Sequence, residues 1–277
     1  NTLILNGVIS GAFDLTKVGT GSITLGANNT YGGTTTISAG TLSMTHAGGL
    51  GNSTATNVIS GATLDMNFAA GILGNTNTIT LNGTGVGAAG ALTGTTSGDI
   101  LSNAIALGSA STIGGTGTMT LNGVVSGAFN LTKTGTGTIN LGGNNTYGGT
   151  TTVNAGTLNI INADGLGNST ATNVTSGATL NMNFAAGTLS NANAITINGT
   201  GVGAAGALTS TGSGDILSNA VTLGSASSIG GTGLMTLNGV VSGAFNLTKA
   251  GTGIINLGGN NTYGGTTTVN AGTSVSY

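Results

Sequence analysis

Six residue types are missing from the 277-residue chain: Arg, Glu, Gln, Pro, Cys and Trp. Without cysteine there is no disulfide, no thiolate cluster for zinc and no thiol nucleophile. That lack fits either a reducing compartment or an export route that moves an unfolded, uncrosslinked chain. Without proline no strand loses a ladder donor, so every strand can be interior. Charge is almost as scarce. Lys17, Lys133 and Lys249 are the only strong cations, the acids are Asp14, Asp65, Asp99, Asp164 and Asp215, and the net charge is −2. Phosphate neutralisation has nothing to work with, which excludes a nucleic-acid partner, and no basic face exists for a membrane surface. No apolar run approaches the roughly 18 residues of a spanning helix, so direct membrane insertion of this segment is not expected. No charged n-region marks a signal peptide at Asn1, and the chain starts and stops inside a repeat, so it reads as a window on something longer.

Glycine, by contrast, numbers 56. Glycine-rich chains are often disordered, but here 38% of residues are hydrophobic and the mean hydropathy is +0.33, above what a disordered chain shows. The apolar residues also alternate, as in Thr138-Ile139-Asn140-Leu141 and Thr151-Thr152-Val153-Asn154, the two-residue period of a half-buried strand.

The segment GTGTINLGGNNTYGGTTTVNAGTL, Gly135 to Leu158, recurs from Gly19 and from Gly251. Phe13, Phe129 and Phe245 correspond, as do Tyr31, Tyr147 and Tyr263 and the three lysines, always 116 residues apart. Such units cannot bury an apolar face alone and must stack on one another. Macro-repeats 5–120, 121–236 and a partial 237–277 are therefore expected to form one continuous solenoid over residues 1–277. Strand-like runs include Thr2 to Gly7, Ala12 to Lys17, Ser22 to Ala27, Thr34 to Gly40, Thr41 to His46, Ala62 to Phe68, Asn77 to Gly83, Asp99 to Gly108 and Thr118 to Gly123. Leu5, Leu25, Met44, Leu64, Leu81, Leu101 and Leu121 read as one inward row. If copies stack without a change of register, each holds a whole number of coils, and six of ~19 residues fit best. The expected fold is all-β, a right-handed parallel β-helix of about 12 to 14 coils. Glycines take the corners, threonine the wet outer surface, and corner asparagines bond to backbone and to the amide above in a ladder along the axis. Gly83 to Ser102, repeated at Gly199 to Ser218, alternates least and reads as a coil with a protruding Gly/Ala loop.

The stretch Leu131 to Leu158 resembles the autotransporter-associated β-strand repeat, also called the passenger-associated transport repeat. Lys133 after a short strand, the Gly-Thr-Gly turn, the corner Asn145 to Gly149 and the closing Asn154-Ala155-Gly156-Thr157-Leu158 carry the likeness, which also begins at Leu15 and Leu247. The resemblance implies a passenger of a type V secretion system, carried to the surface of a Gram-negative bacterium by an outer-membrane β-barrel elsewhere in the full-length chain. Ser274-Val275-Ser276-Tyr277 depart from the pattern, since leucine should follow Thr273.

Chemistry-bearing patterns are thin. Gly85-Val86-Gly87-Ala88-Ala89-Gly90 matches a dinucleotide fingerprint but lacks the following helix and the acid ~20 residues on, so it reads as a turn. Gly-Gly-Thr-Gly at Gly114 and Gly230 lacks the aspartate that calcium would need. Asp14 and Asp65 become Asn130 and Asn181 one copy on, like surface asparagine, and only Asp99 and Asp215 correspond. His46 becomes Asn162 and reads as an exposed strand end; the three lysines, with no recurrent acid beside them, read as solvated charges that discourage lateral sticking. The triplets from Thr34, Thr150 and Thr266 raise an ice-binding alternative, opposed by their distance apart. No catalytic, cofactor-binding or metal-binding residue is assigned, no cofactor is expected and the chain is read as no enzyme. It is expected to be a structural or adhesive surface protein, a shaft or fibre-forming segment. Its expected partners are copies of itself, end to end or laterally, and host or abiotic surfaces. The alternative is the stalk of an exported enzyme whose catalytic module lies outside this segment.

Overall fold

In the computed structural model, which describes residues 1–276, the chain winds into a parallel β-solenoid of about 13 turns spaced about 21 residues apart. At ~4.8 Å per turn the rod is about 60 Å long. Each turn visits three faces. On the first, Thr2–Leu5, Ser22–Leu25, Gly40–Met44 and Ala62–Met66 stack in parallel register. On the second, Asp99–Leu101, Thr118–Leu121, Thr138–Leu141, Thr157–Ile160 and Thr179–Met182 do the same. Leu15–Lys17, Thr35–Ile37, Ala55–Val58 and Thr78–Gly83 form the third. Tyr277, last of the residues that depart from the repeat pattern, lies outside the described residues.

Within each strand the alternation decides what is buried. In Thr138–Leu141, Ile139 and Leu141 point to the core while Thr138 and Asn140 are half-exposed. Inward side chains of successive turns then meet their counterparts: Met119, Ile139, Leu158, Leu180, Leu208 and Ile229 form one such column. All six are buried, and each such side chain contributes about 1.5–3 kcal/mol relative to exposure.

The register overturns the expectation of a whole number of coils per repeat. Climbing five turns from Ile23, through Leu42, Leu64, Leu92 and Ile113, leads to Lys133. The repeat counterpart of Ile23 is Ile139, which stands on the next face. Each copy therefore spans about five and one-third turns and is rotated by one face relative to the copy before. Lys17, Lys133 and Lys249 consequently stand on three different faces. Residue spacing hides this because one turn is long: Asp65 and its neighbour one turn up, Thr93, are 28 residues apart, where the Gly/Ala loop is inserted. The proposed leucine row also divides, because its steps fall short of a turn: the neighbour of Met44 one turn up is Met66 and not Leu64. Leu5, Leu25 and Met44 share one column, Leu64 stands in the adjacent one, Leu81 is on the third face, and Leu101 and Leu121 are on the second. The run from Asp99 to Gly108 also breaks at a corner, into Asp99–Leu101 and the start of Ile105–Gly115.

Corner asparagines act as staples between turns. Asn145 accepts from Val125 N at 2.8 Å in the turn below and donates to Gly165 O at 2.7 Å in the turn above, and Asn29 does the same with Ile9 and Gly49. The continuous amide ladder lies on the second face and not at the corners. Asn181 donates to Asn159, Asn159 to Asn140 and Asn140 to Thr120, at 2.8–2.9 Å. Corner amides bond mostly to backbone, with single amide-to-amide links such as Asn162 to Asn144 at 2.9 Å, and the flat sheet brings three amides into line at one-turn spacing.

The Tyr-Gly-Gly corner has an internal proton order. Ser169 donates to Ala171 O at 2.9 Å and Thr151 donates to Ser169 at 3.0 Å, so the buried Tyr147 hydroxyl donates to Thr151 at 2.9 Å. Tyr147→Phe removes one neutral bond and leaves every remaining donor paired, so chemical denaturation should show a loss of about 0.5–1.5 kcal/mol. Thr151→Val strands the Tyr147 hydroxyl in the core, and its measured loss should be the larger of the two.

Candidate functional site

Three kinds of site emerge: a groove under each Gly/Ala loop, buried aspartates, and the lysines.

The loop Thr84 to Gly90 projects from the first face and folds back over it. Gly85, Gly87 and Gly90 all have positive φ, and at its tip even Ala88 is left-handed, with φ 60°. Gly85 and Gly90 form a bridge so close that a side chain on either would strike backbone. The fingerprint-like spacing thus serves a tight turn, followed by a strand and not a helix. The loop is anchored through Thr63, which accepts from Val86 N at 2.9 Å and donates to Gly90 O at 2.8 Å. Its overhang buries outward residues that strand alternation alone leaves wet.

Asp65 is one of them, which corrects its reading as a surface residue. It accepts from Ser43 at 2.9 Å and Thr93 at 2.7 Å, with Thr95 at 3.3 Å. Asp65, Thr93 and Thr95 line a groove of about 590 Å³ with Thr41, Val86 and Thr116. One copy on, Asn181 takes the place and joins the amide ladder. Asp65 has both oxygens engaged by hydroxyls. No histidine, lysine or second open carboxylate lines the groove, so it offers hydrogen bonds to a ligand but no acid–base pair.

Asp99 and Asp215 point into the core itself, each at an inward strand position and fully buried. Each has one hydroxyl donor, and the donor differs. Thr96 serves Asp99 at 3.0 Å; its counterpart is Gly212, and Ser210, standing where the first copy has Gly94, serves Asp215 at 2.7 Å. The hydroxyl lost at one position is restored two residues away. The other carboxyl oxygen, Oδ1, has no partner in either copy. Burial raises both pKa values above the ordinary carboxylate value, against the hydroxyl bonds that lower them; Asp65 raises Asp99 further, and the Gly212 amide opposes the rise at Asp215.

The lysines are not solvated. Lys17, Lys133 and Lys249 are all buried, each at an inward strand position next to aliphatic residues of the adjoining turns. The Lys133 stem stands between Ile113 below and Val153 above, and its ammonium donates to Thr134 O at 3.0 Å, Gly135 O at 2.8 Å and Ala155 O at 2.9 Å. Burial pushes Lys133 down to about 8, which leaves it cationic at neutral pH, and shifts Lys17 and Lys249 in the same direction. No acid is among their partners, so they form neither ion pairs nor isopeptide geometry.

The other candidates are structural. Asp14 accepts from Thr34 N and Asn130 from Thr150 N, the same bond in successive copies, which bears out their interchangeability. His46 is exposed and accepts from Gly48 N, as Asn162 does from Asp164 N. Asp164 is half-buried. Gly114 and Gly230 lie in strands, and no group of three metal-ligating residues occurs among the described residues. The threonine triplets do not face outward together, since Thr35 and Thr151 are fully buried and bonded to tyrosine. No described helix is long and apolar enough to cross a membrane.

A family model described as the passenger-associated-transport-repeat matches residues 15–44, 131–160 and 247–273. Each match begins on the strand that carries a caged lysine and ends beyond the cage's closing alanine. No curated protein and no solved structure matches the chain.

The buried aspartates have a pH signature. Their folded pKa values lie above the unfolded one, so their contribution is fully present below the ordinary carboxylate value and is lost as pH rises through the folded value. Thermal midpoints should therefore fall across the acid-to-neutral range, and the double variant Asp99→Asn with Asp215→Asn should flatten that slope.

Proposed function

We propose that the chain, which carries three passenger-associated transport repeats, is the shaft of an exported passenger, displayed on or shed from a Gram-negative outer membrane, that works by associating with copies of itself and with other surfaces. The observation that carries this reading is the fate of the charges. Of three lysines and five aspartates, the three lysines, Asp99 and Asp215 are inside the rod and Asp65 is buried beneath a loop on its outer face. Asp14 and Asp164 are left, with His46, on a surface made mainly of uncharged residues. Solvated lysines would keep rods apart; buried ones do not, and self-repulsion is nearly absent.

Apolar side chains recur on that surface. Val124 and Phe129 are exposed, as are their counterparts Val240 and Phe245, and Val8 and Phe13. The one-face rotation of each copy distributes them around the axis, so no single face is reserved for contact. No group of three metal-ligating residues occurs among the described residues, and the matched repeat family favours a structural role over a catalytic one.

Purified chain should form bundles or filaments visible by electron microscopy at neutral pH, little affected by added salt because few charges are there to screen. Phe129→Lys with Phe245→Lys should disperse them. Rods that stay monomeric at high concentration would remove the self-association part of the proposal. Immunogold labelling confined to the interior of intact cells would remove the surface part.

A further inference from the structure

Three times, once per repeat, the same three carbonyl oxygens converge on one point. Around Lys17 they belong to Val18, Gly19 and Ala39, at 3.0, 2.7 and 2.8 Å. Around Lys249 they belong to Ala250, Gly251 and Ala271, at 2.8, 2.7 and 3.0 Å. Two come from the corner that follows the lysine and the third from the corner one turn above, so the cage closes only when two turns are laid one on the other. Glycine makes the room: Gly40 has φ +67°, and a Cβ there would lie 2.8 Å from Lys17 Nζ. Gly156 and Gly272 hold the same place with φ +63° and +69°.

The cage is built from backbone. The residue after the lysine is Val18, Thr134 or Ala250, and the geometry is unchanged. Three inward carbonyls without a donor would be costly in a buried corner. An ammonium has three N–H donors and no acceptor, which matches that requirement. A neutral side chain of the same length does not.

We propose that each of these corners is a binding site for one ammonium-type monovalent cation, and that the lysine is its tethered occupant, the stem serving to fill the column and the charge serving to fill the cage. A corner emptied of its lysine should then take a free alkylammonium ion. In the full chain, Lys133→Ala deletes three methylenes and the ammonium, and its thermal midpoint should drop by several degrees. Propylammonium chloride, which replaces the missing atoms, should restore much of that drop. Tetramethylammonium chloride and sodium chloride at equal concentration should not, and none of the three should shift the parent protein differentially. Lys133→Met keeps the stem volume without the charge and should remain well below the parent. If Lys133→Ala does not fold, Lys249→Ala, whose loss falls near the last described turns, takes its place in the same titration. In the parent protein, ¹⁵N-labelled lysine side chains should give three slowly exchanging ammonium signals. Rescue no better than that by tetramethylammonium, a Lys133→Met protein as stable as the parent, or rapid exchange at all three lysines would each overturn the assignment.

Discussion

A solenoid of this kind depends on one constraint: whatever polar group a turn presents along the axis must be satisfied by the turn above or below it. Strand amides and carbonyls meet that demand through parallel ladders, but at the corners backbone bonds between turns, such as Gly148 N to Gly127 O, meet only part of it. Here each corner has its own answer. Asn29 and Asn145 reach one turn in both directions, Tyr147 starts a hydroxyl relay that ends on a carbonyl, and the lysines donate to three carbonyls at once. These devices carry the few residues of the repeat that are neither small nor aliphatic, which is why so narrow an alphabet still specifies one register.

The same constraint explains why the charges are inside. A buried ion is expensive in isolation, and a rod with an apolar core would ordinarily exclude it. The lysine escapes that cost because its stem is as apolar as the leucines it replaces and its head emerges where carbonyls already need a donor. Asp99 and Asp215 meet the difficulty another way, through a pKa raised by burial and one hydroxyl apiece. The exchange of Thr96 for Ser210 as donor between copies shows that the bond, and not the residue supplying it, is what the packing demands.

Much of this was legible in the residues. Alternation located the strands, the Gly/Ala loop was placed where it projects, and Asp14 and Asn130 behave alike, as their exchange suggested. What escaped had a physical reason in each case. Lys133 follows Leu131 by two, and Asp99 precedes Leu101 by two, so strand parity put both inward; the prior that charge belongs outside overrode a pattern already present. Asp65 has outward parity and is buried only because a loop from the following turn covers it, a long-range effect that no local period contains. The rotation of each copy could not be read from spacing, since one overlong turn of 28 residues among turns of about 21 changes the sum without marking the strands on either side.

That rotation has consequences for how such a rod meets its surroundings. A repeat equal to a whole number of turns would line up each exposed Phe and Val, and each loop groove, along one edge, giving the rod a preferred side. A repeat of about five and one-third turns sends the exposed phenylalanine at 13, 129 and 245 to three different sides in succession. A second rod can then approach from any direction and find an apolar contact within one repeat length, while no edge gathers enough of them to bind at one place alone. The loop grooves follow the same spiral, and Asp65 gives one of them a carboxylate where the next has the amide of Asn181. Near-identical copies thus present unlike surfaces on different sides, and the variety comes from the winding as much as from substitution.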